Sequence, residues 1–156
     1  MNGYMGKIAW IDLTEGKVTT EELKEEVARK YLGGKGLGAY LLYRNLAPGT
    51  DPYGPDNLLI FLAGPLTGAN FPCVGRGAVV TRSPMTGTFL DSYAGGLFGP
   101  TLKFSGYDAV VIKGKAEKPV YLKVDDGKLT IHDAGKLWGL STTEAEKNLR
   151  DEFRGK

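Results

Sequence analysis

The sequence is poor in metal ligands and balanced in charge: one cysteine, one histidine, 20 basic against 18 acidic residues, and no long apolar run. Cys73 by itself excludes an internal disulfide and cannot hold an iron–sulfur cluster, which takes about four thiolates. With His132 it still falls short of a conventional zinc site. Any redox metal chemistry therefore has no self-contained centre here. The net charge of +2 is made of interspersed residues, which removes the electrostatic reason to expect nucleic acid or an anionic membrane as partner. No stretch approaches the ~20 apolar residues that cross a bilayer. The opening Met1-Asn2-Gly3-Tyr4-Met5-Gly6-Lys7 lacks a basic segment followed by an apolar core, so a cytoplasmic location is expected.

What the chain does have is glycine: 23 in 156 residues, about twice the usual frequency. Its hydrophobic share of 42% with 24% charged residues is that of a soluble globular protein. The length fits one domain over 1–156, burying roughly two-thirds of its unfolded surface around one core.

Lys7 to Leu13 reads as a strand returned by Thr14-Glu15-Gly16-Lys17 through Val18-Thr19-Thr20. Leu23, Val27 and Tyr31 recur at helical spacing, and that helix stops at Gly33-Gly34. Leu37, Tyr40, Leu41 and Arg44 predict a second helix, ended by Ala47-Pro48-Gly49. Leu58 to Leu62, Ala78 to Thr81, Thr88 to Leu90 and Tyr107 to Lys113 read as strands, and Phe98, Leu102 and Ser105 as a short helix with Pro100 in its first turn. Asp125-Asp126-Gly127 joins two further strands as a tight hairpin. Ser141-Thr142-Thr143-Glu144 is a capping box opening a helix whose Ala145, Leu149 and Phe153 face inward. Strands arriving as hairpins predict an α+β fold with mostly antiparallel sheets and a few helices. The hairpin-then-helix order at both ends points to an internal duplication, with Trp10 and Trp138 anchoring the two units.

Chemistry is concentrated between Gly64 and Gly106. Arg76 stands between Gly75 and Gly77, so a guanidinium fork suited to phosphate or carboxylate oxygens sits where the backbone leaves room for a ligand. Gly95-Gly96 precedes the short helix and exposes further amides. On spacing alone, an arginine paired with a surface carboxylate and a glycine pair serving a turn remain the favoured readings. No Gly-Lys-Ser/Thr follows, so this is not a nucleotide P-loop. Gly33 to Gly38 lies between two helices, which removes it as a dinucleotide fingerprint. Cys73 lacks a nearby base and reads as a small buried or half-buried residue, and His132 as a surface strand-end residue. Asp91, Tyr93 and Asp108 are polar groups beside the glycine loops. Tyr93 could stack on a planar ligand or pack on the core.

Several of these stretches, in order and spacing, carry a resemblance: Leu32-Gly33-Gly34-Lys35-Gly36-Leu37-Gly38, Ala63-Gly64-Pro65-Leu66-Thr67-Gly68, Gly75-Arg76, Ser83-Pro84-Met85-Thr86-Gly87, Gly95-Gly96-Leu97-Phe98-Gly99 and Lys103-Phe104-Ser105-Gly106-Tyr107-Asp108. Together they resemble the N-terminal domain of the aldehyde ferredoxin oxidoreductases, tungsten enzymes with a bis-pterin cofactor. The resemblance covers essentially the whole chain. It implies an antiparallel base on which the pterins lie, with Arg76 and the Gly95-Gly96 backbone at the pterin phosphates. Tyr93 stands where the family often has asparagine, and its backbone oxygen is expected at a magnesium ion bridging the pterins. Lys35 stands where arginine is common and receives no role. No catalytic residue is expected in this chain.

The function implied is the cofactor-binding domain or subunit of a tungsten (or molybdenum) aldehyde:ferredoxin oxidoreductase, an enzyme turning an aldehyde and water into a carboxylic acid. The 4Fe-4S cluster, the substrate channel and the contact with ferredoxin belong in that family to later domains, absent from these 156 residues, so the chain alone is expected to be inactive. Its partners would be those domains or a subunit carrying them, with a homo-oligomer formed through the bare face. The alternative is a noncatalytic module binding a pterin, a nucleotide or a protein partner through the same surface.

Overall fold

The computed structural model describes residues 1–153. Its larger sheet is built from β1 (Lys7–Asp12), β2 (Lys17–Glu22), β3 (Leu59–Ala63), β4 (Gly77–Arg82), β5 (Phe89–Ala94) and β6 (Ala109–Lys113), in the spatial order β2-β1-β6-β3-β4-β5. Every neighbouring pair is antiparallel except β1 and β6, which run parallel with Ile8 opposite Ala109. A second sheet is the ribbon of β7 (Val120–Asp125) and β8 (Lys128–Asp133). Asp126 and Gly127 close it with φ of 43° and 79°, the left-handed positions that an Asp-Gly turn tolerates. The α+β class with mostly antiparallel pairing is thus as expected.

Both faces of the larger sheet are covered, which is why its central strands read as near-continuous apolar runs. On one face Ile8, Ile60, Leu62, Val80 and Val111 pack against α1 (Glu25–Tyr31) and α2 (Gly34–Asn45) through Ala28, Leu37 and Leu41. On the other, Ala9, Ile11 and Val110 meet Leu102 of α3 (Phe98–Phe104) and Leu129 of the ribbon. α1 carries Glu25 and Glu26 in its first turn and Arg29 and Lys30 in its last, complementing the helix dipole. Two glycines inside α2, Gly36 and Gly38, costly in a helix interior by about 1 kcal/mol each, are required by approach. A Cβ on Gly36 would collide with the Tyr31 carbonyl oxygen, and one on Gly38 would lie 2.6 Å from Val80 Cγ2. Gly36 and Gly38 therefore serve packing, and Gly34 to Gly38 form the start of α2 and not the expected link between two helices.

The N-terminal segment is tied down by Asp108, whose buried carboxylate accepts the Met5 and Gly6 amides at 3.1 and 2.7 Å. α4 (Thr142–Phe153) opens on the expected capping box: Ser141 N–H donates to Glu144 Oε2 at 3.0 Å and Glu144 N–H to Ser141 Oγ at 3.3 Å. Ala145, Leu149 and Phe153 share its half-buried face, and Phe153 meets the Tyr121 ring edge-on at 6.5 Å.

Two expectations need correction. Trp10 is a core anchor, half-buried with its indole N–H donating to Glu21 at 2.8 Å. Trp138 is not, being 76% exposed, because α4 covers the ribbon only lightly and leaves no closed core for a large ring. The duplicated hairpin-helix order recurs as order alone: β1 and β2 join the large sheet, whereas β7 and β8 form a ribbon of their own.

Candidate cofactor site

Antiparallel pairing sets Ala63 opposite Gly77 and Gly77 opposite Ala94. The end of β3, the start of β4 and the end of β5 are thereby gathered at one end of the sheet. A cleft of about 490 Å³ opens there, lined by the α1–α2 turn at Leu32 to Gly34, the Gly64 to Thr67 loop, Cys73 and Val74, Arg76 to Ala78, and Tyr93.

The loops of the cleft are held from within. Buried Thr67 accepts the Gly64 amide at 2.9 Å on its hydroxyl and donates that hydroxyl to the Arg76 carbonyl at 3.1 Å. The Gly68 amide donates to the Val74 carbonyl at 3.0 Å. From α3, Lys103 reaches under the loop and donates to the Gly64 and Pro65 carbonyls at 2.6 and 2.8 Å, although it is only 6% exposed. Burial pushes its ammonium below the ordinary lysine range, and the Asp108 carboxylate pulls it partly back. Sequence reasoning missed both Thr67 and Lys103. The Gly-Pro-Leu-Thr-Gly turn carried a signal for the first, since threonine hydroxyls cap such turns. Nothing in the spacing marks a lysine that will be buried.

Arg76 is exposed, and its side chain makes no hydrogen bond or ion pair among the described residues. It is also the one charged residue in the lining. Tyr93 shares the cleft and hydrogen-bonds Asp91, which pairs in turn with Lys35 Nζ at 3.2 Å. The Tyr93 phenol, aided by Lys35, holds the Asp91 carboxyl below its ordinary value, while partial burial and then that carboxylate raise the phenol.

Gly95 and Gly96 lie beside the cleft and do not line it. Both are exposed, a Cβ on either would meet nothing within 4 Å, and Gly96 has φ +92°. Their loop touches the arginine loop through bare backbone, since a Cβ on Gly75 would lie 3.0 Å from the Gly96 carbonyl oxygen. Cys73 is corrected: it is exposed, with φ +67°, at the cleft wall, because the loop around it has no element above it to bury the thiol. Asp108 binds backbone amides as described, and His132 stacks on Tyr121 at 5.1 Å in the ribbon, so neither belongs to the cleft. Among the described residues no three His, Cys, Asp or Glu side chains come together in a group that could hold a metal.

Residues 8–156 match the model of the family described as aldehyde ferredoxin oxidoreductase, N-terminal domain. The chain belongs to this family. It is 47% identical over 156 residues to the tungsten-containing aldehyde ferredoxin oxidoreductase of Pyrococcus abyssi, covering 100% of this chain and 26% of that protein. It is 41% identical over 155 residues to the aliphatic sulfonate oxidoreductase, WOR-like subunit, of Pyrococcus furiosus, covering 97% of this chain and 24% of that one. Among solved structures, the active site complex BamBC of benzoyl coenzyme A reductase, in complex with 1,5 dienoyl-CoA, contains a chain that superposes with a TM-score of 0.93 at 34% identity. The match takes in 97% of this chain and 23% of that one. The aldehyde ferredoxin oxidoreductase N-terminal domain described here thus spans about a quarter of the length of these relatives. No helix among its described residues is long and apolar enough to cross a membrane.

Proposed function

We propose that this single domain is the cofactor seat of a tungsten–pterin oxidoreductase. The observation that carries the reading is Arg76: an unpaired guanidinium, alone in charge, in a cleft of about 490 Å³ with glycine-rich loops beside it. Such a site fits an anionic ligand with an extended apolar or planar body. Guanidinium and open amides neutralise and orient phosphate oxygens without proton transfer. Gly95 and Gly96 leave the space a side chain would fill, so their amides are reachable by a phosphate. The Tyr93 carbonyl would offer an oxygen to a magnesium ion accompanying the cofactor, a role that depends on the backbone and survives a change of side chain. Thr67 and Lys103 act through the loops they hold.

When bound, the tungsten–pterin group supplies two-electron oxidation of an aldehyde carbon, with water providing the added oxygen and a carboxylic acid as product. Electrons from that oxidation would pass to ferredoxin through an iron–sulfur cluster, for which Cys73, the single cysteine of these 156 residues, is too few ligands. The relatives act on differently named substrates while sharing this domain, which supports a common seat here and substrate choice elsewhere. Leu66, Leu97 and Phe98 are exposed around the site, and such a surface suits cover by further polypeptide or by a second copy.

The test is metal and pterin analysis of the full-length protein purified from tungstate-supplied cells. Wild type should carry both, Arg76→Ala about tenfold less of each, and Arg76→Lys an intermediate amount. Equal loading of wild type and Arg76→Ala, or a wild type without pterin, would sink the proposal.

A further inference from the structure

Five arginines lie among the described residues, and three are paired: Arg29 with Glu25, Arg44 with Glu21 and Arg150 with Glu146. The two without an ion pair, Arg76 and Arg82, stand at opposite ends of β4. Six residues of strand put them about 20 Å apart. Arg82 opens on a separate cleft of about 760 Å³, between the C-terminal half of α2 with the loop after it and the start of β5.

This second cleft is amphipathic in a specific way. Leu42, Leu46, Pro48 and Phe89 contribute apolar wall, and no acidic residue lines it. Arg44 also lines it, but Glu21 Oε1 accepts from that guanidinium at 3.1 Å, leaving Arg82 as the charge without a counter-ion. Arg82 Nε is a buried side-chain nitrogen with no hydrogen-bond partner, the one such atom found among the described residues. A buried polar atom left unsatisfied is destabilising, so its presence asks for an explanation. The backbone of Arg82 is held in place: its amide donates to Asn57 Oδ1 at 3.4 Å, and Asn57 Nδ2 donates to its carbonyl at 3.2 Å. A cation carried on a pinned stretch of backbone, in an apolar cleft of small-molecule size, suits a ligand with one anionic head and an apolar body. A free phosphate would leave the walls unused.

We propose that this cleft binds a small organic carboxylate, with Arg82 taking the carboxylate and Leu42, Leu46 and Phe89 its hydrocarbon. The site is independent of the cofactor cleft. Side-on, Nε and one terminal amino group of Arg82 present parallel donors to the two carboxylate oxygens, so the ligand would give Nε the partner it lacks, and the apolar body is removed from water against the walls.

The experiment is calorimetric titration of the full-length protein with hexanoate and with its uncharged isostere, hexanamide. Hexanoate should bind saturably at one site per chain, and hexanamide about tenfold more weakly. Arg82→Met should lose about tenfold in hexanoate affinity, with Arg29→Met, at an exposed arginine that lines neither cleft, unchanged. Should Arg82→Met fold poorly, the exposed Thr88→Glu, which places a competing carboxylate at the rim, should weaken hexanoate in the same way. Equal affinity for acid and amide, retention of hexanoate binding by both variants, or no saturable heat at millimolar ligand would overturn the assignment, the last outcome including a cleft already filled by polypeptide. Tungsten and pterin content should be the same in Arg82→Met as in wild type, which keeps this outcome separate from that of the cofactor reading.

Discussion

Gly99 lies against Gly77 with no room for a methyl group between them. A Cβ on Gly99 would sit 2.7 Å from the Gly77 amide nitrogen and 2.9 Å from the Arg76 carbonyl oxygen. Backbone, unlike the tip of a side chain, cannot step aside. α3 and the first residue of β4 are therefore spaced by two bare Cα atoms, and the position of Arg76 depends on that spacing. Gly99→Ala should destabilise the protein by about 1–3 kcal/mol through overpacking and displace the arginine loop. Urea denaturation would give the first effect, and cofactor content the second. A variant with wild-type stability and loading would show that the two elements can slide apart freely.

Lys103 gives a second test of how the cleft is held. Lys103→Met keeps the length of the side chain and removes the donors to the Gly64 and Pro65 carbonyls. Hydrogen bonds from a charged donor contribute about 1.5–3 kcal/mol, set against the cost of burying the ammonium. Global stability should therefore fall by less than that range, while hydrogen exchange in the 64–68 loop accelerates. Unchanged exchange there would mean that Thr67 holds the loop without help.

Asp108 anchors the N-terminal segment rather than the site. In Asp108→Ala the Met5 and Gly6 amides lose their acceptor, which should cost about 2 kcal/mol. Asp108→Asn keeps one acceptor oxygen and should cost less. Limited proteolysis should then cut before Lys7 in the alanine variant first. Equal protection of all three proteins would refute the anchoring role.

The start of α4 should respond to acid. The Ser141 hydroxyl, with its amide, holds the Glu144 carboxyl below the ordinary value of 4.5. A carboxylate depressed on folding stabilises the folded form above its unfolded value and loses that contribution as pH falls through the folded one. Amide exchange in the first turn of α4 should accordingly speed up as pH drops below about 4.5, after correction for intrinsic rates. Glu144→Gln should abolish the pH dependence; a wild type already frayed at pH 7 would remove the capping box from the account.

Much of this molecule is readable without coordinates wherever the cause is local. The Asp126-Gly127 turn, the Ser141 to Glu144 box and the glycines around Arg76 announce themselves because each depends on residues within a few positions of one another. Trp138 was misread for the complementary reason: a large apolar residue beside a helix looks like core until one knows that only a light helix covers the ribbon. Cys73 was misread in the same way, its exposure being decided by what does not lie over its loop. The spacing puts Gly38 in a link between helices, yet it lies inside α2 and its purpose depends on Val80, some 40 positions further along.

By itself the sequence determined the elements, their turns and caps and the family to which the chain belongs, since these follow from short-range sterics and from the order of motifs. Which arginines would be without partners was settled only by the tertiary structure. Arg44 reaches Glu21 across 23 positions, whereas among the described residues no carboxylate is brought to Arg76 or Arg82. Charge pairing acts over a few ångströms in space, and distance along the chain says little about it until the sheet has assembled.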